Sequence, residues 1–360
     1  MLTCFDTSDP YASTLHGVGE LNSEGLPTLP NLSRVVCNKW ESTKYLIQVG
    51  VLERPDCCKK CGKSVAFKKD PYMTDVLHKK GALKKGPSEY KECFIYRCKD
   101  RDCNWQVSVF NESFFGHGKK SPGEVLIVFY LWLAGATPKA IRAVSGWSEK
   151  ATLEYFLKFR RLVSANMTDF IENVTSEEYF TYDEGQVGGP GIEVQIDESA
   201  FGKRKYHRGH HVETKWVFGG VEILPAGNGR KKGGKFFAVV VPDRTRETLH
   251  GVIKKFIKPG TRIVSDGWSA YSTLGQLEDV LYEHEVVNHS KRFKNWDTGA
   301  HTNTIEGKWN KLKKSIPRQG FRQEKVLQEY LGEQMWRHTN RGHLWEASIV
   351  TFRDFFKREF

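Results

Sequence analysis

No cysteine occurs after Cys103 in this 360-residue chain, although eight stand at or before that position. Such clustering excludes a disulfide framework spread through the fold. With no signal peptide visible in the polar stretch Met1–Glu20, it favours metal ligation instead. No apolar run approaches the roughly 18 residues a membrane span needs. The longest candidate, Val125–Ala134, reads as a buried helix. Internal repeats are also lacking. Acidic residues are in deficit, 43 against 55 Lys and Arg, which leaves a formal charge of +12. That imbalance points to a polyanionic partner, nucleic acid first and an anionic membrane surface second. Hydrophobic content of 39% and charged content of 27% are those of a folded protein long enough for two or three domains.

The stretch from Gly191 to Val221 organises what is present. Val194 and Ile196 alternate with polar residues as in a strand, and Asp197 falls where burial is costly unless the acid is paired or holds a metal. A cationic run follows, Lys203, Arg204, Lys205, His207 and Arg208, and then a second strand from Lys215. A strand carboxylate beside a dense basic loop suggests metal-dependent chemistry on a polyanion.

Ahead of it, Cys58-x-x-Cys61 and Cys98-x4-Cys103 form two knuckles of the kind that bring four soft ligands to a tetrahedral zinc. Cys57 and Cys93 are alternative ligands, and two paired spacings in one basic segment favour zinc over unligated thiols packed as small hydrophobes. His78 and His117 read as solvent-exposed. One short helix is expected over Glu41–Leu52 and three over 122–135, 138–145 and 149–164. Pro122 and Pro138 suit first turns, Ser148 suits an N-cap, and Gly135 and Gly146 punctuate the ends. With Lys158, Arg160 and Arg161 on the last, these helices have the plan of a helix-turn-helix, a spacing that any small helical bundle shares.

After the acidic, Gly-rich 182–190, strands are expected at 193–198, 215–224 and 235–241, then a helix at 244–257, a strand at 261–265, a helix at 268–277, a strand at 280–287 and a helix at 304–316. Three strands followed by alternating helix and strand describe a mixed α/β sheet in the element order of a ribonuclease-H-like fold. Asp266 ends the strand of IVSDGWSAY, where such sheets gather their ligands, although Asp before Gly is also an ordinary turn. Glu306 lies beside a helical core face of Ile305, Trp309, Leu312 and Ile316, and Asn303-x-x-Glu306 also has the form of a capping box. Lys308, Lys311, Lys313, Lys314, Arg318 and Arg322 follow without balancing acids. Two Asp and a Glu on these elements are what two-metal phosphoryl transfer requires.

VQIDESAFGKRKYHRGHHVETKWVFGGVE, FFAVVVPDRTRETL, IVSDGWSAY, VNHS and TGAHTNTIEGKWNKLKK resemble the transposases of the Merlin superfamily and the related bacterial insertion-sequence transposases with an N-terminal zinc ribbon. The resemblance runs over roughly 40–340 and is dense over 194–316. It implies that Asp197, Asp266 and Glu306, with 68 and 39 residues between successive members, are an Asp-Asp-Glu triad binding two Mg²⁺ or Mn²⁺ ions. Asn303 and His301 belong to the same motif, Asn303 as an alternative third ligand. Glu198 lies on the opposite strand face and is the weaker candidate.

The implied activity is a DDE transposase that binds terminal inverted repeats, cuts, and joins the freed 3′-OH ends to target DNA. Lys203, Arg204, Lys205, Arg208, Lys308, Lys311, Lys314 and Arg318 would contact DNA, and zinc would be structural at Cys58, Cys61, Cys98 and Cys103. Holding two transposon ends implies at least a homodimer, and no membrane is involved. Localisation would be nuclear in a eukaryotic host, cytoplasmic at the nucleoid in a bacterial one. Two alternatives are a host-recruited, transposase-derived DNA-binding protein that no longer cuts and an RNA-processing nuclease. The expected layout is a flexible arm (1–35), a helix plus zinc ribbon (36–110), a helix-turn-helix-like region (111–181), a linker (182–192), a ribonuclease-H-like catalytic core (193–325) and a C-terminal helical segment (326–360).

Overall fold

Two stretches far apart in sequence, Met1–Leu162 and Asn340–Phe360, fold together as one unit of the structure, a computed structural model, and Val163–Thr339 forms the other. The structure describes residues 18–70, 93–116, 120–172, 186–202, 213–227, 231–277, 281–287 and 301–357.

The first unit begins with α1 (Leu29–Val36) and α2 (Lys39–Gln48). Helix α1 falls where no periodicity was legible; Pro30 suits its first turn and Leu32 and Val35 are buried. Asn38 caps α2 by accepting the Glu41 N–H at 2.8 Å. An antiparallel ribbon of β1 (Val65–Asp70), β2 (Cys93–Cys98) and β3 (Gln106–Ser108) follows.

The three expected helices are α3 (Pro122–Leu133), α4 (Pro138–Ser145) and α5 (Glu149–Glu172), within which the division between units falls. Ser121 and Glu124 close a capping box on α3, Thr137 caps α4, and Gly146 ends α4 at φ 67°. The basic trio on α5 is not one exposed face. Arg160 is buried, Lys158 pairs with Glu154 at 2.9 Å, and of the three Arg161 is exposed. The C-terminal helix Leu344–Arg353 completes this core. Trp345 Nε1 donates to Tyr45 Oη at 2.9 Å, and Phe352 packs on Phe114 and Phe129.

In the second unit β4 (Glu193–Phe201), β5 (Lys215–Pro225), β6 (Lys231–Val241), β7 (Arg262–Asp266) and β8 (Glu283–Val287) form a sheet in the order β6-β5-β4-β7-β8. The first three are antiparallel, and β7 and β8 run parallel to β4. Helix α6 (Arg246–Phe256) joins β6 to β7. Where one helix was expected over 268–277, two 3₁₀ turns stand instead, at Ser269–Tyr271 and Leu274–Gln276. Ser272, Thr273 and Gly275 are weak helix formers, and hydroxyls compete for backbone partners.

Strand alternation gives β4 two different faces. Gln195, Asp197 and Phe201 turn toward α7 (Asn303–Ser315), through hydrogen bonds to Ile305 and Trp309 and a ring contact with Trp309. Val194 and Glu198 turn the other way, toward Phe237 and Tyr271, and Phe237 stacks on Phe256 of α6 at 4.8 Å. Helix α8 (Glu324–Thr339) covers the edge strand β6, whose Ala238 and Val240 amides donate to Met335 Sδ and Gln328 Oε1. An uncovered edge would be a template for another strand.

Candidate active site and metal centre

The parallel register pairs Glu193 with Arg262, Val194 with Ile263 and Gln195 with Val264. Carried two residues further, that register sets Asp197, in the middle of β4, level with Asp266, the last residue of β7. Asp197 is half-buried, and Trp309 Nε1 donates to its Oδ2 at 2.9 Å. Burial, opposed by that hydrogen bond and reinforced by the charges of Asp266 and Glu306, pushes its carboxyl up to about 6. The structure therefore places Asp197 within electrostatic reach of both Asp266 and Glu306.

Asp266 also performs the turn role open to it, since its Oδ1 accepts the Trp268 N–H at 3.0 Å. Glu306 is exposed in the first turn of α7. The capping box with Asn303 does not form. The N-cap is Thr302, whose hydroxyl donates to Glu306 Oε1 at 3.1 Å, and Asn303 is exposed. The first-turn amides of Thr304 and Ile305 donate instead to Gln195 Oε1, at 3.1 and 3.4 Å. Gln195 is fully buried and its Nε2 meets His301 Nδ1 at 3.2 Å. A side chain two residues before Asp197 thus caps the helix that carries Glu306.

Glu198 contributes more than its face suggested. Burial and the charges of Asp197 and Asp266 lift it to about 8, against the pull of Arg244, and Tyr271 Oη donates to its Oε1. Sequence reasoning missed three supports. Trp309 was read only as core, Gln195 only as a strand residue, and Gly219 not at all. Gly219 faces Asp197 in register, and a Cβ there would stand 2.6 Å from the Trp309 ring and 2.5 Å from the Phe237 carbonyl. The glycine lets the indole reach the carboxylate. The polar alternation around Gln195 and the Gly-Gly pair inside a strand were the available signals.

Of the cationic residues, Lys308 holds its ammonium 4.2 Å from the Phe236 ring centroid and 3.2 Å from His338 Nδ1. Lys311 and Lys314 are exposed. Lys203, Arg204, Lys205 and Arg208 lie outside the described residues, as does the Arg318 side chain. A cavity of about 500 Å³ opens at the other end of the strands, lined in part by Glu193, Lys231, Arg262 and Glu283. Glu193 there is already engaged by Lys231 at 2.9 Å and Arg262 at 3.6 Å.

In the first unit the sulfurs of Cys58, Cys61, Cys98 and Cys103 all lie within 4.8 Å of one another. Cys58 and Cys103 are 3.6 Å apart, Cys61 and Cys98 3.5 Å. Tetrahedral zinc with bonds of about 2.3 Å sets its sulfurs about 3.8 Å apart, so the four fit a structural zinc. Turn geometry builds the site: Gly62 at φ 72° lets its N–H reach the Cys58 carbonyl, and Cys98 and Cys103 flank a tight turn closed on Asp100. Lys60 and Asp100 aim backbone N–H groups at the Cys58 and Cys98 sulfurs, each at 3.4 Å. Cys57 is exposed and not part of the cluster; the Cys93 side chain, His78 and His117 lie outside the described residues.

Residues 182–339 match the ISXO2-like transposase domain. An uncharacterized transposase-like protein of Haemophilus influenzae is 28% identical to the chain over 106 residues, 29% of this chain and 82% of its own length. The transposase domain thus contains the five-stranded sheet and all three acids. No helix among the described residues is long and apolar enough to cross a membrane.

Proposed function

We propose that this chain is a DDE transposase that binds terminal inverted repeats, cuts at them and transfers the freed 3′ ends to target DNA. The observation that carries this reading is the effect of the Asp266 and Glu306 charges on the half-buried Asp197, in the sheet of a stretch that matches a transposase domain. Sheet order and helix placement support a ribonuclease-H-like core.

The three carboxylates offer hard oxygen ligands, and a divalent cation would offset the cost of charging the buried Asp197 beside two further acids. Two Mg²⁺ ions held there would activate the attacking oxygen and stabilise the leaving one. Trp309 keeps the Asp197 carboxylate in one rotamer, and Gln195 keeps Glu306 at a set height above the strand ends. Water attacks phosphorus in the cutting step and the 3′-OH in the joining step, in line, so positioning and charge stabilisation suffice and no covalent protein intermediate is needed. Lys311 and Lys314 lie on the helix that carries Glu306 and supply phosphate contacts, with Lys203, Arg204, Lys205, Arg208, Lys308 and Arg318. The zinc-binding ribbon and α3–α5 are the repeat-binding part. Two ends held together require at least a dimer, and the chain acts where its host keeps DNA.

The test is a cleavage and joining assay on the DNA flanking the gene, with Mg²⁺, Mn²⁺ or EDTA, using the wild type, Asp197→Ala and Asp266→Asn. Cutting at repeat ends that needs metal and both acids is the expected result. Specific binding without cutting would replace this reading with the recruited DNA-binding protein, and cutting by Asp266→Asn would overturn the site.

A further inference from the structure

Trp268 is 39% exposed, an unusual place for an indole, and it is not loosely held. Its backbone N–H donates to Asp266 Oδ1 at 3.0 Å and its Nε1 to the Arg244 carbonyl at 3.5 Å. The Arg244 guanidinium lies between two indoles, with Cζ 3.8 Å from the Trp216 centroid and 4.7 Å from that of Trp268. The loop carrying Arg244 is itself braced. Asp243 Oδ1 accepts from the Thr245 N–H and from the hydroxyls of Thr245 and Thr248, at 2.9, 2.7 and 2.7 Å. Trp216 lies on β5, opposite Ala200 of β4 and Val241 of β6, so the stack is anchored in the sheet.

Scattered exposed aromatics need no explanation, but one fixed at three points beside an active-site carboxylate does. Resting on the transposase reading, we propose that Trp268 is a stacking platform for one nucleobase of the DNA strand whose phosphate lies against Asp197 and Asp266. Arg244 is its brace and a cationic neighbour for that phosphate. A base stands one sugar away from its phosphate, about the reach from the Asp266 carboxylate to an indole two residues on. Arg244 occupies one side of the indole, and a base on the exposed side would complete a four-layer stack of Trp216, Arg244, Trp268 and base. Every base has a π-face, so the contact is tolerant of sequence. It suits a position that must be unstacked from its duplex neighbour before the backbone bends into the carboxylates.

The full chain is tested on duplexes from the gene's flanks, with 2-aminopurine placed in turn at each position around the cut. Binding is read in Ca²⁺ and cutting in Mg²⁺. One position should change fluorescence on binding of the wild type and of Trp268→Phe, and not of Trp268→Leu. Leucine keeps apolar bulk and would satisfy a purely structural role. An abasic site at that position should slow wild-type cutting tenfold to a hundredfold and leave Trp268→Leu, already slowed to that level, unchanged. If no position responds, or if the abasic and Trp268→Leu losses multiply, the platform is refuted. A wild type that does not cut in Mg²⁺ refutes the parent reading, and a wild type that cuts without any responsive position refutes this one alone.

Discussion

Trp309 Nε1 donates to Asp197 Oδ2 at 2.9 Å, linking α7 to the central strand of the five-stranded sheet. This one bond joins the packing of α7 to the charge state of the site. Replacing Trp309 by Phe keeps most of the packing and removes the donor. Since the bond favours the charged carboxylate, its loss should raise Asp197 further above 6. The acid limb of the metal-dependent pH–rate profile should then move up by about one pH unit, equivalent to about 1.4 kcal/mol. An unmoved limb would show that Asp197 does not govern it.

The Asp197 carboxyl is raised from 3.8 to about 6, so the fold disfavours its charged form. That penalty is absent below pH 4 and grows as the pH rises through 6. Asp197→Asn should therefore melt a few degrees above the wild type at pH 8 in EDTA, for a gain of about 1–2 kcal/mol, and match it near pH 4. Mg²⁺ should stabilise the wild type and not the variant. Thermal melts at the two pH values, with and without metal, give the answer.

Gln195 accepts the first-turn amides of α7 from a fully buried position. Gln195→Leu leaves those N–H groups without their acceptor, which costs about 1–3 kcal/mol. Its specific effect should be weaker half-saturation by Mg²⁺, because Glu306 loses its height reference. Gln195→Glu restores the acceptor and should recover metal affinity more than Leu does. Metal titration of cleavage, set beside urea midpoints, separates the two effects.

Gly219→Ala should be destabilising by about 1–3 kcal/mol through overpacking against Trp309 and the Phe237 carbonyl. Cutting should fall beyond what the fraction unfolded explains, since the indole is pushed from Asp197. Denaturation midpoints and single-turnover rates on the same preparation decide this.

Elemental analysis should find one zinc per chain, and Cys58→Ser with Cys103→Ser should lose it. Chelation should lower the melting transition of the unit built from Met1–Leu162 and Asn340–Phe360 while leaving that of the transposase domain in place. A metal content unchanged by the double substitution would remove zinc from these ligands.

Much of this molecule was legible locally. The Cys-x-x-Cys and Cys-x4-Cys spacings named the four thiols that cluster, because a knuckle is made by a few adjacent residues. Caps and prolines marked α3 and α4, and Asp197 stood out because a strand interior has no ordinary use for a carboxylate. Elements that depend on partners were misread. The capping box of Asn303 and Glu306 is a local pattern overruled by a distant side chain, Gln195, which reaches the same amides first. The stretch 268–277 had enough apolar residues for a helix but not the backbone preference.

By itself, then, the sequence determined the charge, the four thiols that cluster and most of the strand-and-helix order, all of which follow from residue chemistry and short-range periodicity. Tertiary structure alone decided that Asp197 and Asp266 stand level, that Trp309 bonds to Asp197 and Gln195 to the first turn of α7, and that Arg244 lies between Trp216 and Trp268. These relations join residues tens to more than a hundred positions apart. Sheet register and helix packing set such distances, and no local pattern encodes them.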